Sequence, residues 1–284
     1  MANTTSINSE LFTNLLAETQ YAAYENSVAR QIVTTFDVPA NSGKIVQVPV
    51  WAGVTATDLT EGQAPSALDT NTTSVNITLA EIGTYFQVTD FLRDTAQKDV
   101  IADLGYNSGR AIAEKMDSQV FNLFNSFTQS VGTEDADITV DNILDAIATL
   151  RQNKISSPLV AVLAPKQAVQ LKKSLAGNSG VYSTSATEIA SSVLRQYYLG
   201  TFAGVQIFES SLVKQDLDTD ADATLNAVGA VFARTAVGHA MRGSVSMKTE
   251  DRAATRSTDV SMTAVVGSGI LQNTHGVKIV GNAA

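Results

Sequence analysis

Two histidines, His239 and His275, and four alternating aspartates, Asp216, Asp218, Asp220 and Asp222, are the side chains of this 284-residue chain whose types could do chemistry. The histidines stand far apart among small or apolar neighbours, without the paired spacing that zinc binding or metalloprotease chemistry uses, and read as structural. The aspartates imitate the first half of a calcium loop. The position that needs glycine holds Ala221 or Ala223, however, and the twelfth position, which should carry a bidentate glutamate, holds Ala227 or Gly229. A solvated acidic loop over 214–223 is the expectation. Gly267, Ser268 and Gly269 begin like a dinucleotide fingerprint, but Gln272 stands where the third glycine belongs, so a bend in a strand is expected there. Neither a phosphate-cradling loop nor a hydrolase nucleophile elbow occurs. Adjacent Lys172 and Lys173 point to different sides of a helix and form a solvated face. The absence of cysteine removes disulfides, thiolate metal sites and cysteine nucleophiles. No catalytic residue, metal ligand or cofactor is assigned, and the chain is not expected to be an enzyme.

Composition narrows the classes further. Hydrophobic residues make up 44% and charged residues 17%, ordinary values for a folded protein. A formal charge of -9 opposes nucleic-acid reading, which needs clustered Lys and Arg to release counterions. No apolar run approaches the roughly 20 residues of a membrane helix, and the first residues lack a basic region followed by an apolar one, so a cytosolic start without membrane contact is expected. The charges are unevenly placed. From Ile45 to Leu92 there is no Lys, Arg or His, whereas Lys248, Arg252 and Arg256 crowd a short later segment beside Glu250, Asp251 and Asp259. An acidic arm and a partly neutralised basic patch can attract, and the patch is expected to be a protein interface.

Periodicity then places these residues on elements. Apolar spacings of three and four predict two helical pieces between Ser6 and Phe36, ended by turn chemistry over 37–43. Val46, Val48 and Val50 share one face of a strand that Pro49 confines to an edge, and Trp51 and Gly53 end it. Residues 55–73, around Gly62 and Pro65, read as a loop tip. Val75, Ile77 and Leu79 alternate on the return strand, and 85–88 continue extended into a short helix over 91–96. A helix from about Asp99 to Gln129 carries Ile101, Leu104, Ile112, Met116, Val120, Leu123 and Phe127 on one stripe; at 1.5 Å per residue it would run roughly 45 Å. A helix over Val140 to Ile147 begins at Thr139 or Asp141. A buried strand over 159–164 leads through Pro165 into a helix that Gly177 can end, and a helix with Ile189, Val193 and Tyr197 ends at Gly200. Strands follow over 205–208, 230–233, 244–249, 260–266 and 276–280. The fold class is α+β. A long hairpin over 44–89 cannot bury enough apolar surface alone, because two-stranded ribbons are marginal in water. A neighbouring copy is the expected cover, with Val46, Val48, Val50, Trp51, Glu61, Val75, Ile77 and Leu79 as arm contacts and Lys248, Arg252 and Arg256 as a second contact.

This order of parts, with the phrases Leu163-Ala164-Pro165-Lys166-Gln167 and Gly200 to Ile207, resembles the tailed-bacteriophage major capsid protein of the Hong Kong 97 (Johnson) fold over nearly the whole chain. The resemblance implies an N-terminal arm at 1–43, an extended β-hairpin loop at 44–89, a peripheral domain with a spine helix at 90–155, an axial domain at 156–229 and closing peripheral strands at 230–284. It implies a shell subunit that self-assembles as pentamers and hexamers into an icosahedral head, a container for double-stranded DNA held without sequence-specific binding. A separate scaffolding protein is implied, since only about forty residues precede the hairpin, and a portal protein is a further implied partner; a decoration protein is an optional one. Location would be the virion, with assembly in the host cytoplasm. Some members join a lysine of the extended loop to an asparagine of a neighbour; no lysine occurs between Lys44 and Lys98, so no such isopeptide bond is expected. An encapsulin-like compartment shell and an α/β enzyme with an unusual arm are the alternatives.

Overall fold

The structure is a computed structural model that describes residues 16–17, 19–20, 23, 27–51, 56, 58, 61, 72–95, 100–155, 158–177, 198–214 and 225–283. The expected helix around Ile189 and Val193, the acidic loop beyond residue 214 and most of the expected loop tip lie outside these residues.

Short helix α1 (Ala29–Ile32) leads into strand β1 (Thr34–Asp37). Strands β2 (Ile45–Trp51) and β3 (Thr72–Thr78) pair antiparallel as a separate ribbon, with Val46 opposite Ile77 and Val48 opposite Val75. Strand β4 (Ala80–Thr89) does not continue that hairpin. It joins a four-stranded sheet of order β1-β10-β11-β4, in which β10 (Val237–Arg252) and β11 (Ser257–Ile270) form the long central hairpin. The free ribbon is thus 45–78, shorter than the expected 44–89, because the Ile82, Phe86 and Val88 side of β4 finds cover on the parent chain. The segment Thr34–Asp37 is also a strand where helix was expected: its Thr-Thr-Phe run pairs parallel with Gly238–Met241, a partner remote in sequence.

A second sheet of six strands has the order β5-β12-β9-β6-β8-β7, from β5 (Gln129–Val131), β6 (Leu159–Leu163), β7 (Tyr198–Phe202), β8 (Val205–Glu209), β9 (Asn226–Ala233) and β12 (Gly276–Asn282). Strands β6 and β9 are buried throughout, as their unbroken apolar runs require when both faces are covered. One face packs against α4 (Val140–Gln152) and α5 (Pro165–Gly177) through Ile143, Ile147, Leu150, Ala168 and Leu171. The other packs against Phe121, Phe124 and Phe127 and against Ile32 and Val33. Asn142 Oδ1 starts α4 by accepting from the Thr139 amide at 2.9 Å and hydroxyl at 2.7 Å. The expected helix ending at Gly200 gives way to β7, which turns into β8 through Ala203 and Gly204, both at positive φ.

Helix α3 (Val100–Phe121) joins the two sheets, after short helix α2 (Asp90–Thr95). Its middle residues Ile112 and Met116 pack on the four-stranded sheet with Val260, Met262 and Ala264, while Val120 and Phe121 enter the core of the six-stranded sheet. Twenty-two residues span about 33 Å, less than expected, because the chain tightens into a 3-10 turn over Asn122–Ser126 that drives Phe124 and Phe127 inward. Gly105, Ser108 and Gly109 are buried, since the N-terminal segment crosses α3 there: Thr19 Oγ1 donates to the Gly105 carbonyl at 3.1 Å. Asp117 holds the same segment by accepting from Ser27 Oγ at 2.7 Å and from the amides of Val28 and Ala29. Burial raises the Asp117 carboxyl above the usual carboxylate range.

Candidate functional site

The histidines are built into the fold. His239, on β10, is buried, and its Nδ1 lies 2.9 Å from Ser268 Oγ; burial, reinforced by the charge of Arg30, lowers it to about 4. His275 Nδ1 meets Thr235 Oγ1 at 2.7 Å, and burial lowers it as well. Lys172 pairs with Glu209 at 3.7 Å. Among the described residues no group of three or more His, Asp or Glu side chains could hold a metal ion. The features without an internal explanation are instead on surfaces, at two ends of one β layer.

The first is the ribbon β2–β3. Its root is locked to the parent chain: the Leu79 amide donates to the Lys44 carbonyl at 2.9 Å, and Arg242 Nη2 donates to the Gly43 carbonyl. Ile77, 1% exposed, sits in a notch floored by Gly238, Gly267 and Gly269. A methyl group at Gly267 would lie 2.5 Å from the Thr78 carbonyl oxygen, so the Gly267-Ser268-Gly269 phrase exists for the close passage of a strand. The backbone there is extended, and the expected bend is absent. Ile77 and Leu79, expected to touch a neighbour, thus belong to the parent core with Val38 and Ala240, because both follow the inward side of the root. On the same face Val46, opposite Ile77, and Val48 pack half-exposed against that core, and Val75 and Val50 lie progressively further out, each half-exposed; Trp51 is 66% exposed and Glu61 is exposed. The apolar stripe therefore starts in the protein's own core and runs out into solvent.

The second is the outward side of β4, β10 and β11. Cross-strand register puts Lys248, Ser261 and Tyr85 in one row, Glu250, Asp259 and Gln87 in the next, and Arg252, Ser257 and Thr89 in the last. Alternate residues, Val260 and Met262 among them, face α3. Asp259 is 5% exposed although it lies on this open side. Arg252 Nε stands 2.7 Å from Asp259 Oδ2, and the Tyr85 hydroxyl is close by. Asp259, as hydrogen-bond partner and as negative charge, raises the Tyr85 hydroxyl. Lys248 and Arg256 are exposed. Around them Tyr85 at 63% and Phe91 at 77% leave aromatic surface in water, beside exposed Leu92. The three basic residues were legible in the sequence; the aromatic component was not, because Tyr85 and Phe91 look like core residues until the register places them.

A family model described as Phage capsid protein matches residues 72–279. No curated protein sequence matches. Among solved structures, that of Mycobacterium phage Che8 is similar with TM-score 0.65 at 19% identity, covering 84% of this chain and 85% of that one. The head structure of Helicobacter pylori bacteriophage KHP40 is similar with TM-score 0.69 at 14% identity, covering 91% of each chain. A virus-like particle from Pyrococcus furiosus is similar with TM-score 0.59 at 13% identity, covering 94% of this chain and 98% of that one.

Proposed function

The chain belongs to the phage capsid protein family and is a major capsid protein of an icosahedral head, and from that premise we propose how it builds the shell. Subunits gather as pentamers and hexamers, and the β2–β3 arm of each lies across the α3 helix and four-stranded sheet of the next. The observation that carries this reading is the apolar stripe from Ile77 to Val50, buried at its root and uncovered at its far end. An exposed two-stranded ribbon with such a face gains cover and paired edges only from a second molecule. Residues 1–43 serve as the N-terminal arm, 45–78 as the extended loop, 80–155 and 230–284 as the peripheral domain and 156–229 as the axial domain. Lys248, Arg252 and Arg256 form the second contact between subunits. The role is structural, without a catalytic step.

A net charge of -9 suits a DNA container, because a strongly binding wall would hinder packing and release of the genome. The family match favours the phage head over a cellular compartment. Double-stranded DNA, a portal and a separate scaffolding protein complete the proposed assembly, which forms in the host cytoplasm. Electron microscopy of the purified chain with its scaffold tests the proposal: closed shells are expected, and a monodisperse monomer without capsomers would overturn it. Removing residues 52–72 is expected to leave the melting transition in place and abolish shells. Shells at the wild-type yield from that deletion would remove the arm from the account.

A further inference from the structure

The stretch of chain that leads into the arm is anchored on α3. Ser27 Oγ donates to Asp117 Oδ1 at 2.7 Å, and the amides of Val28 and Ala29 donate to the same carboxylate at 2.9 and 3.3 Å. Val28, which precedes α1, makes no capping bond with its own side chain, so a residue of α3 caps the short helix from outside. The far end of α1 is held by Arg234: its Nη2 donates to the Gln31 carbonyl, and its own carbonyl accepts from Thr34 Oγ1, each at 2.8 Å. Strand β1 then runs beside Gly238–Met241, and the Val38 amide closes on the Met241 carbonyl at 2.9 Å. The Phe36 ring reaches the notch of the arm, where a methyl group at Gly238 would lie 2.9 Å from Phe36 and 3.2 Å from Ile77. After a turn in which Ser42 Oγ donates to the Pro39 carbonyl, β2 starts. We infer that residues 27–38 are a tie between α3 and the arm, and that Asp117 is the positioning residue that sets its register. Through Phe36 and Ile77 that register fixes the direction in which the arm leaves the body. The inference rests on the proposed role of the arm as connector between subunits, since direction decides which neighbour it meets.

The chemistry of the anchor suits a register pin. A carboxylate accepts only, and here it meets three successive donors, one hydroxyl and two amides. From Asn26 to Arg30 only Ser27 carries a hydroxyl, so a slip of one residue along α3 breaks the set. Burial raises the Asp117 carboxyl, so its charge opposes the stability of the fold; a buried charge of this kind fits the fixing of one arrangement among several. Local sequence dictates neither anchor, because Asp117 stands 90 residues from Ser27 and Arg234 stands 203 from Gln31. At the other end the linkage is steric. Phe36 and Ile77 crowd the same glycine, and a close-packed interior transmits a displacement of one to the other.

A distance measurement in the full-length chain before assembly tests the tie. The chain has no cysteine, so two introduced cysteines carry a pair of spin labels without interference. Ser74→Cys on exposed β3 and Lys115→Cys on the exposed side of α3 report the distance between arm and helix. A single narrow distribution is expected in this background. Ser27→Ala, Asp117→Asn and Phe36→Ala are each expected to lose it to a shifted or broad one, with the yield of sedimenting shells falling in parallel. Ile143→Val loosens the other core and is the comparison: it is expected to lower the melting temperature while keeping the narrow distribution and the shells. Should Asp117→Asn fail to fold, Ser27→Ala gives the reading, because it leaves the carboxylate and both amides in place. An unchanged distribution in Ser27→Ala, or the same broadening in Ile143→Val, would overturn the tie while leaving the shell subunit standing. A wild-type chain that makes no shells would overturn the shell reading, and the distance distributions would still decide the tie.

Discussion

Protonating His239 means placing a second positive charge in a buried strand beside Arg30, which is why its value falls from 6.5 to about 4. A group depressed in the folded state contributes stability above its unfolded value, and that contribution is lost as pH falls from 6.5 through about 4, at most about 3 kcal/mol. The denaturation midpoint of the wild type is expected to drop over this interval, and that of His239→Gln to drop less; parallel curves would contradict the assignment. Asp117 carries the opposite sign. Raised by burial, it contributes most below the ordinary carboxylate range, and the contribution is lost as pH rises through its shifted value. Asp117→Asn is therefore expected to flatten that part of the profile. Asp117→Ala leaves Ser27 Oγ and two amides without their acceptor and is expected to cost about 2 kcal/mol, read from urea unfolding. Ala203 holds the left-handed conformation in the tight β7–β8 turn, which Asn and Gly adopt more easily; Ala203→Asn is expected to stabilise by about 1 kcal/mol, and a loss of stability would deny the turn geometry.

At the level of elements, the notch beneath Ile77 fixes where the arm leaves the body. Gly267→Ala sets a methyl group 2.5 Å from a backbone oxygen and must displace the strand, whereas at Gly269 the methyl group meets only the Ile77 side chain, at 3.2 Å. The first substitution is expected to destabilise by several times more than the second, and equal midpoints in a denaturant series would refute the close passage. The same elements mark what the sequence made readable. Alternation of Val46, Val48 and Val50 with Val75 and Ile77 announced the ribbon, and the strand-Pro165-helix unit was plain, since local pattern alone defines both. Strand β1 was hidden in helical spacing, because only pairing with Gly238–Met241 makes Thr34–Asp37 extended. The early end of α3 was hidden too: its apolar stripe continues through Leu123 and Phe127, and burial of three phenylalanines in the second core sets the break. Gly267 and Gly269 looked like a ligand motif out of place, and their reason became visible only with the strand that passes over them.

For the whole molecule, two sheets braced by α3 form a body that closes its own cores, and the surfaces it leaves open lie at the ends of one β layer. Charge segregation between arm and basic patch could be seen in the sequence; that they stand at opposite ends could not, because it depends on the direction of β4 against β11. In the proposed assembly a subunit so arranged is completed by its neighbours, and Ile77 and Leu79 mark where the parent core ends. Cryo-electron microscopy of assembled particles tests this most directly, by tracing residues 45–78 to the molecule that covers them. The account predicts Val46, Val48, Val50 and Val75 closed over by a second copy in every capsomer position. A map with that face covered solely by its own chain would contradict it.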